Sequence, residues 1–367
     1  MKGRRPRPLD DGDFSYPRVS GLLTLTKPME YTGTPVLQSA TIVLMENILS
    51  PASKNIKLAA STLIRGNLVA FPTETVYGLG ADATNSLAVS EMYRVKGRPQ
   101  GHPVIVHISS IETLEIWAKN IPDYALKLAK AFWPGPMTLI LPRTQIAKNF
   151  ITGGQDNVGV RVPSDTIAQE LLKEFEAQGG IGVVAPSANR FGAVSPTSAR
   201  DVQSELGQYI SKETLILDGG RSFIGIESTV IYCVEARPKI LRPGSISEKM
   251  IEKILGIKTQ INCSNLSNPN IKAPGTLKSH YSPKARVLIS GEPKSGDGFI
   301  ALEKIATPKG VYRLAAPKTN IEFAYQLYGA LRSADDKKIE KVYVVPPYGD
   351  DIAIAINDRL EKASCII

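Results

Sequence analysis

From residue 41 to about 255, short apolar runs alternate with stretches whose apolar residues recur every three or four positions. The runs at 67–72 (NLVAFP), 104–108 (VIVHI), 137–141 (MTLIL), 158–162 (VGVRV), 181–185 (IGVVA), 214–217 (TLIL), 229–234 (TVIYCV) and 239–241 (KIL) are rich in β-branched residues and predict buried strands. Between them lie helical patterns. Ala125, Leu128, Ala129 and Phe132 share one face, and Pro134-Gly135 ends that helix. Ser164 is a candidate cap for a second helix facing inward through Ile167, Leu171 and Phe175, with Gly179-Gly180 as its stop. Thr197 is a candidate cap for a third, with Val202 and Leu206 on its apolar side. This alternation predicts an α/β domain built on a mixed sheet.

The rhythm breaks twice. Residues 1–40 carry Gly, Pro and charge without a period and read as a tail or extension. Residues 256–284 are rich in Asn, Ser and Pro, too long for an ordinary loop, and read as a linker. After it, 286–290 (RVLIS) and 342–345 (VYVV) predict strands, and 321–331 and 352–360 predict helices. The expected organisation is an extension at 1–40, an α/β domain at 41–255, a linker at 256–284, and a small α/β domain at 285–367.

The composition narrows the function classes. In 367 residues, 43% are hydrophobic and 22% charged, ordinary globular values. The net charge of +9 suits anionic partners such as nucleotides or nucleic acid. No apolar run approaches the roughly 20 residues that span a membrane. Lys2, Arg4, Arg5 and Arg7 are followed by Asp10, Asp11 and Asp13 rather than by an apolar segment, which argues against secretion. Cys233, Cys263 and Cys365 form no CxxC pair, so neither a disulfide framework nor a thiolate zinc site is expected, and the expected setting is the cytoplasm.

Two patterns are decoys. Residues 78–83 (GLGADA) match a dinucleotide fingerprint, but five residues separate them from the preceding strand, and the next strand ends in serines. His102 and His107 are five apart across a strand, so their side chains point to opposite faces and make a poor metal pair.

Four segments carry candidate chemistry. Residues 71–80 (FPTETVYGLG) run from a strand end into a polar, glycine-rich loop. Residues 96–107 (KGRPQGHPVIVH) leave a helix with cations and enter a strand, a place suited to holding phosphates. In 160–163 (VRVP), Arg161 stands where an apolar residue belongs, so it is paired with a carboxylate or bound to a ligand. Residues 185–189 (APSAN) and 195–197 (SPT) lie past a buried strand and lead to a helix N-terminus, where hydroxyls and amides can meet an anion. Taken singly, the glycines can serve only as turns, Lys96 and Arg98 only as a solvated helix end, and Ser187 only as a cap.

Together these segments resemble the threonylcarbamoyl-AMP synthase family of the YrdC/TsaC type. The resemblance spans about residues 50–245, with 133–141 (WPGPMTLIL), 227–230 (ESTV) and 241–244 (LRPG) following in the same order. The linker with its SHYSPK segment, 279–284, and the small last domain are similar to the two-domain form of that family. One position departs: the residue before Pro103 is often Asn in the family and is His102 here.

The resemblance implies a YrdC-like twisted mixed sheet with a concave basic cleft, plus a small Rossmann-like domain. It implies a nucleotidyltransferase that converts L-threonine, bicarbonate or CO₂, and ATP into threonylcarbamoyl-AMP and pyrophosphate, for threonylcarbamoyladenosine synthesis in tRNA. A tRNA threonylcarbamoyl transferase would take the product, and weak tRNA binding and no membrane are expected. By matched position, the threonine side is Thr75, His107, Arg161, Ala185 and Ser228. The ATP side is Arg98, His102, Asn157, Ser187, Ser195, Arg242 and Tyr281, with Asn189 a further candidate. Lys96, Arg98 and Ser187 are the candidate catalytic groups. Mg²⁺ would come with ATP, held by phosphates and water rather than by a protein cage. In this reading the linker closes over the cleft as a lid.

Two alternatives stand beside it. An RNA-binding YrdC-type module without adenylating activity would use a basic concave face, but aromatics are only 7% and no RNA motif is present. A carbamoyl-adenylating enzyme of hydrogenase maturation would carry acylphosphatase and cysteine-rich zinc modules, which this chain lacks.

Overall fold

The apolar runs become the strands of one large, twisted mixed sheet. In chain order they are β1 (Ile48–Leu49), β2 (Val69–Phe71), β3 (Gly78–Asp82), β4 (Ile105–His107), β5 (Met137–Pro142) and β6 (Asn157–Arg161). β7 (Val183–Val184), β8 (Leu215–Leu217), β9 (Thr229–Tyr232), β10 (Lys239–Arg242) and β11 (Gln260–Ile261) follow. The spatial order is β1-β8-β2-β3-β7-β4-β6-β5-β9-β10-β11. The computed structural model describes residues 47–257, 260–261 and 281–365. The expected extension at 1–40 and most of the expected linker, including Lys278, Ser279 and His280, lie outside the described residues.

Helices cover both faces of the sheet: α1 (Ser53–Ile64), α2 (Ser86–Lys96), α3 (Asp123–Phe132), α4 (Thr166–Ala177), α5 (Ala199–Leu206) and α6 (Glu248–Leu255). On one face, Leu171, Leu172 and Phe175 of α4 pack with Leu63 of α1 against Phe71, Val183 and Leu217. Each is fully buried, a stabilisation of about 1.5–3 kcal/mol per large apolar side chain. On the other face, Met92, Leu128 and Val202 join Leu79, Val106, Leu139 and Val160 in the main core.

Three local expectations change. Residues 78–82, expected as loop, form β3, antiparallel to β2. A Cβ on Gly80 would lie 2.9 Å from the Phe71 ring and 3.0 Å from the Val69 carbonyl oxygen, so the glycine serves strand approach and not a dinucleotide. The cap of α4 is Asp165, which accepts from the amides of Ile167 and Ala168; the backbone N–H of Ser164 donates instead to Glu74. The cap of α5 is Ser198, in a reciprocal capping box with Asp201. Thr197, one residue earlier, donates its hydroxyl to Asp201.

The last segment forms a separate parallel sheet, β12 (Arg286–Leu288), β13 (Gly298–Ile300), β14 (Tyr312–Ala315) and β15 (Lys341–Val344), in the order β12-β15-β13-β14. Two of these strands, β13 and β14, were not predicted, because Gly298 and Arg313 interrupt their apolar pattern. Helices α7 (Asn320–Asp336) and α8 (Ile352–Ser364) complete this part. Its core takes in Val76, Val194 and Ile226 from the first domain, so the two sheets share packing. Gly225 shows how close they come: at φ +83°, its Cβ would lie 2.5 Å from the Ala324 carbonyl oxygen of α7. No helix among the described residues is long and apolar enough to cross a membrane.

Candidate active site

The ends of the sheet's interior strands open into a cleft. Thr75 reaches it from the turn between β2 and β3, and His107 and Arg161 from the ends of β4 and β6. Ala185 and Ser187 follow β7, Ser228 precedes β9 and Arg242 ends β10. Arg98 enters from the chain after α2, and Tyr281 closes the side next to the second domain. His107 and Arg161 are direct partners in the parallel β4–β6 register, which puts both side chains on one face.

Arg161 resolves the choice that its sequence position posed: its partner within the chain is a carboxylate. Its Nη2 donates to Glu74 Oε1 at 2.7 Å and to the Thr75 hydroxyl at 2.9 Å. Glu74 is fully buried, and its other oxygen accepts from the Ser164 amide. Glu74 therefore fixes both the guanidinium and the loop that leads into α4. Sequence reasoning missed it, although it sits inside the TET segment; the signal was a carboxylate available to balance the strand arginine. Beside Arg161, burial and the guanidinium charge hold the His107 imidazole down at about 3, so the ring is neutral. Its Nδ1 is fully buried, and no side chain of the protein bonds it. On the same wall, the Ser228 hydroxyl pairs with Thr138 at 2.8 Å.

The other side of the cleft is cationic. Arg98 is nine-tenths buried; its Nη2 donates to the Pro103 carbonyl at 2.8 Å, while its Nε has no partner in the protein. Arg242 donates through Nε to the Ser228 carbonyl and through Nη2 to the Ser228 hydroxyl, at 3.0 and 3.1 Å. Buried arginines with donor atoms facing a cleft are strong anion ligands.

The remaining candidates stand back from the cleft surface. The Lys96 ammonium is buried and donates to the carbonyls of Ser187 and Asn189, so it shapes the APSAN loop from behind. Burial and the nearby Arg98 push its pKa well below the usual lysine range. Asn189 turns its amide to the carbonyls of Arg190 and Ala193. Ser195 is fully buried and donates to Glu227 at 2.6 Å. His102 packs edge-on against Phe191, whose ring also faces the Arg98 guanidinium. Asn157 begins β6, opposite Pro142 and at the other end of the strand from Arg161. None of these five lines the cleft.

Glu227 does line it, and it too escaped the sequence reading. Its Oε1 accepts from Ser195, and its Oε2 from Arg359 at 2.9 Å and from the Tyr328 hydroxyl at 3.0 Å. Burial alone would raise this carboxyl, but Arg359 and Arg242 hold it down at about 2. Tyr281 stacks on Tyr328 at 6.0 Å, with the Arg359 guanidinium 5.4 Å from its ring centre. Its phenol is pushed up to about 12 by burial and by Glu227.

Comparisons with known proteins identify the family. The Sua5/YciO/YrdC family, described as telomere recombination, matches residues 61–244, and the threonylcarbamoyl-AMP synthase C-terminal domain matches residues 246–365. A threonylcarbamoyl-AMP synthase of Pyrococcus abyssi is 40% identical over 84% of this chain and 94% of its own length. One from Bacillus subtilis is 37% identical over 86% and 94%. Among solved structures, P. abyssi Sua5 complexed with L-threonine is similar at a TM-score of 0.78 and 38% identity, covering 86% of this chain and 97% of that one. The chain belongs to the threonylcarbamoyl-AMP synthase family.

Proposed function

We infer that this chain makes threonylcarbamoyl-AMP and pyrophosphate from L-threonine, bicarbonate or CO₂, and ATP. The observation that carries the reading is one cleft that gathers a neutral histidine, a carboxylate-balanced arginine beside it, and two further buried arginines.

The chemistry needs positioning more than a reactive side chain. Threonine's amine, neutral, adds to CO₂ and, releasing one N–H proton to solvent, gives a carbamate. A carbamate oxygen then attacks the α-phosphorus, forming the new P–O bond as the bond to the β,γ-pyrophosphate breaks. Arg161 and Thr75 would take the threonine carboxylate and hydroxyl. His107, being uncharged, would hydrogen-bond the substrate without repelling its ammonium form. Ala185 and Ser228 would border this pocket. Arg98 and Arg242 would balance charge that builds on the phosphates, with Ser187 and Tyr281 beside them. Lys96, His102, Asn157 and Ser195 would act from behind this first layer. Mg²⁺ enters as MgATP: among the described residues, the carboxylate on the cleft wall is Glu227, already engaged by Ser195, Tyr328 and Arg359. Transfer of the product to tRNA by a separate transferase, a cytoplasmic setting and weak contact with tRNA belong to the same reading.

The test is the product. Purified protein with MgATP, L-threonine and labelled bicarbonate should yield an acid-labile adenylate with the mass of threonylcarbamoyl-AMP. Formation of AMP or ADP alone, with no label retained, would contradict the reading.

A further inference from the structure

We propose that Arg359, on the last helix of the second domain, is a positioning residue for the nucleotide: it neutralises the Glu227 carboxylate on the cleft wall and braces the chain beside Arg242. The second domain is then a working part of the adenylating site rather than a support for the linker. The proposal rests on the reading of this cleft as an ATP site.

Glu227 is an anion in a cleft built for an anion. A carboxylate beside a polyphosphate site repels it unless something cancels the charge. In this chain the cancelling group comes from α8. Arg359 is 1% exposed. Its Nε donates to Glu227 Oε2 at 2.9 Å, and its Nη1 donates to the Pro243 carbonyl at 2.8 Å, one residue from Arg242. Tyr281 lies under the same guanidinium, so three parts of the cleft wall converge on one side chain.

Glu227 and Asp358 are the carboxylates here, and Arg359, Arg242 and Lys362 the cations. Asp358 faces both Arg359 and Lys362, at 2.7 and 2.8 Å. Tyr281 and Tyr328, held above the ordinary phenol range by burial, stay neutral. Removing Arg359 leaves Asp358 with Lys362 but strips Glu227 of its closest cation. An apolar contact of the same size would glue the domains equally well. A buried charge pair whose anion faces the cleft does something that glue does not.

The test compares wild type with Arg359→Met, Glu227→Gln and the double variant. KM for MgATP and for L-threonine is read from pyrophosphate release, and MgATP affinity by titration calorimetry. Arg359→Met should raise KM for MgATP about tenfold while leaving KM for threonine within about twofold. The double variant, with no carboxylate left to neutralise, should return KM for MgATP to within about threefold of wild type. A purely structural contact would also be mended in the double variant, because the stranded carboxylate is gone, but it predicts that Arg359→Met raises KM for MgATP and for threonine together, so the split between the two KM values carries the distinction. The proposal is overturned if both KM values rise together, if the double variant is no better than Arg359→Met, or if Arg359→Met matches wild type. Should Arg359→Met not fold, Arg359→Lys carries the test: it keeps the charge and should hold KM for MgATP within about threefold, and a tenfold rise would overturn the proposal. Wild type that binds MgATP but releases pyrophosphate without threonine would strike the functional reading instead, because the calorimetric comparison still stands.

Discussion

Glu74 and Arg161 meet at 2.7 Å with neither side chain more than 5% exposed, so the strand arginine reaches the cleft with its charge already balanced. A substrate carboxylate arriving there joins a built pair rather than filling a void. This changes what mutation should do. Arg161→Ala strands Glu74 in a buried wall, and a loss of about 3–5 kcal/mol of stability is expected along with the loss of threonine binding. Arg161→Lys keeps the charge and loses the fork. It should stay folded and weaken threonine by about 2 kcal/mol or more, with little change in MgATP affinity. Calorimetry with each ligand, beside denaturant unfolding, separates the two effects. Unchanged threonine affinity in the lysine variant would remove Arg161 from the site.

Arg98 gives the complementary case. Its bond to the Pro103 carbonyl holds a buried guanidinium in the cleft lining. Arg98→Ala should weaken MgATP by about 2–5 kcal/mol and threonine by far less, and Arg98→Lys should recover only part of it. Equal losses for both ligands would argue that Arg98 holds the fold instead.

The sequence carried the strand runs, most of the helices and the family motifs, because buried strands and amphipathic helices write their periods locally. It placed Thr75, His107, Arg161, Ser187, Ser228 and Arg242 as candidates, and one cleft gathers them. It did not show Glu74 or Glu227, because a carboxylate in a quoted motif looks the same whether it is solvated or buried. The partners of Glu227 could not be read at all: Tyr328 and Arg359 lie 101 and 132 positions away. The cap shifts from Ser164 to Asp165 and from Thr197 to Ser198 have a simpler cause. Adjacent residues of both kinds can cap, and only the amides they face decide between them.

Acid should destabilise the fold through His107. Its imidazole is held at about 3, below its ordinary 6.5, first by burial and then by Arg161. Between those values the unfolded chain binds a proton that the folded chain refuses. Stability is therefore full above the ordinary value and falls as pH drops towards 3, by up to about 1.4 kcal/mol per pH unit. Glu227, lowered from 4.5 to about 2, adds the same sign of slope only below its own ordinary value. Asp165, raised to about 6 by burial, gives a slope of opposite sign in the same window, so the test is the difference: chemical unfolding between about pH 4 and 6 should change its slope by about one proton in His107→Gln relative to wild type. An identical slope in the variant would mean that His107 is not buried neutral.

Gly225 tests the seam between the domains. At φ +83°, with its Cβ position 2.5 Å from the Ala324 carbonyl oxygen, it has no room for a side chain. Its amide also donates to the Thr75 carbonyl at 3.1 Å. Gly225→Ala should cost about 2 kcal/mol or more and loosen threonine binding through Thr75. Wild-type melting and threonine affinity together would contradict this seam.

The most direct measurement is pyrophosphate release by the purified protein with MgATP, with L-threonine and bicarbonate each supplied or withheld. A single cleft that assembles the carbamate before it meets the α-phosphorus predicts release only when both are present, one pyrophosphate for each threonylcarbamoyl-AMP. Release at the full rate without threonine, or none with all three substrates, would contradict the account.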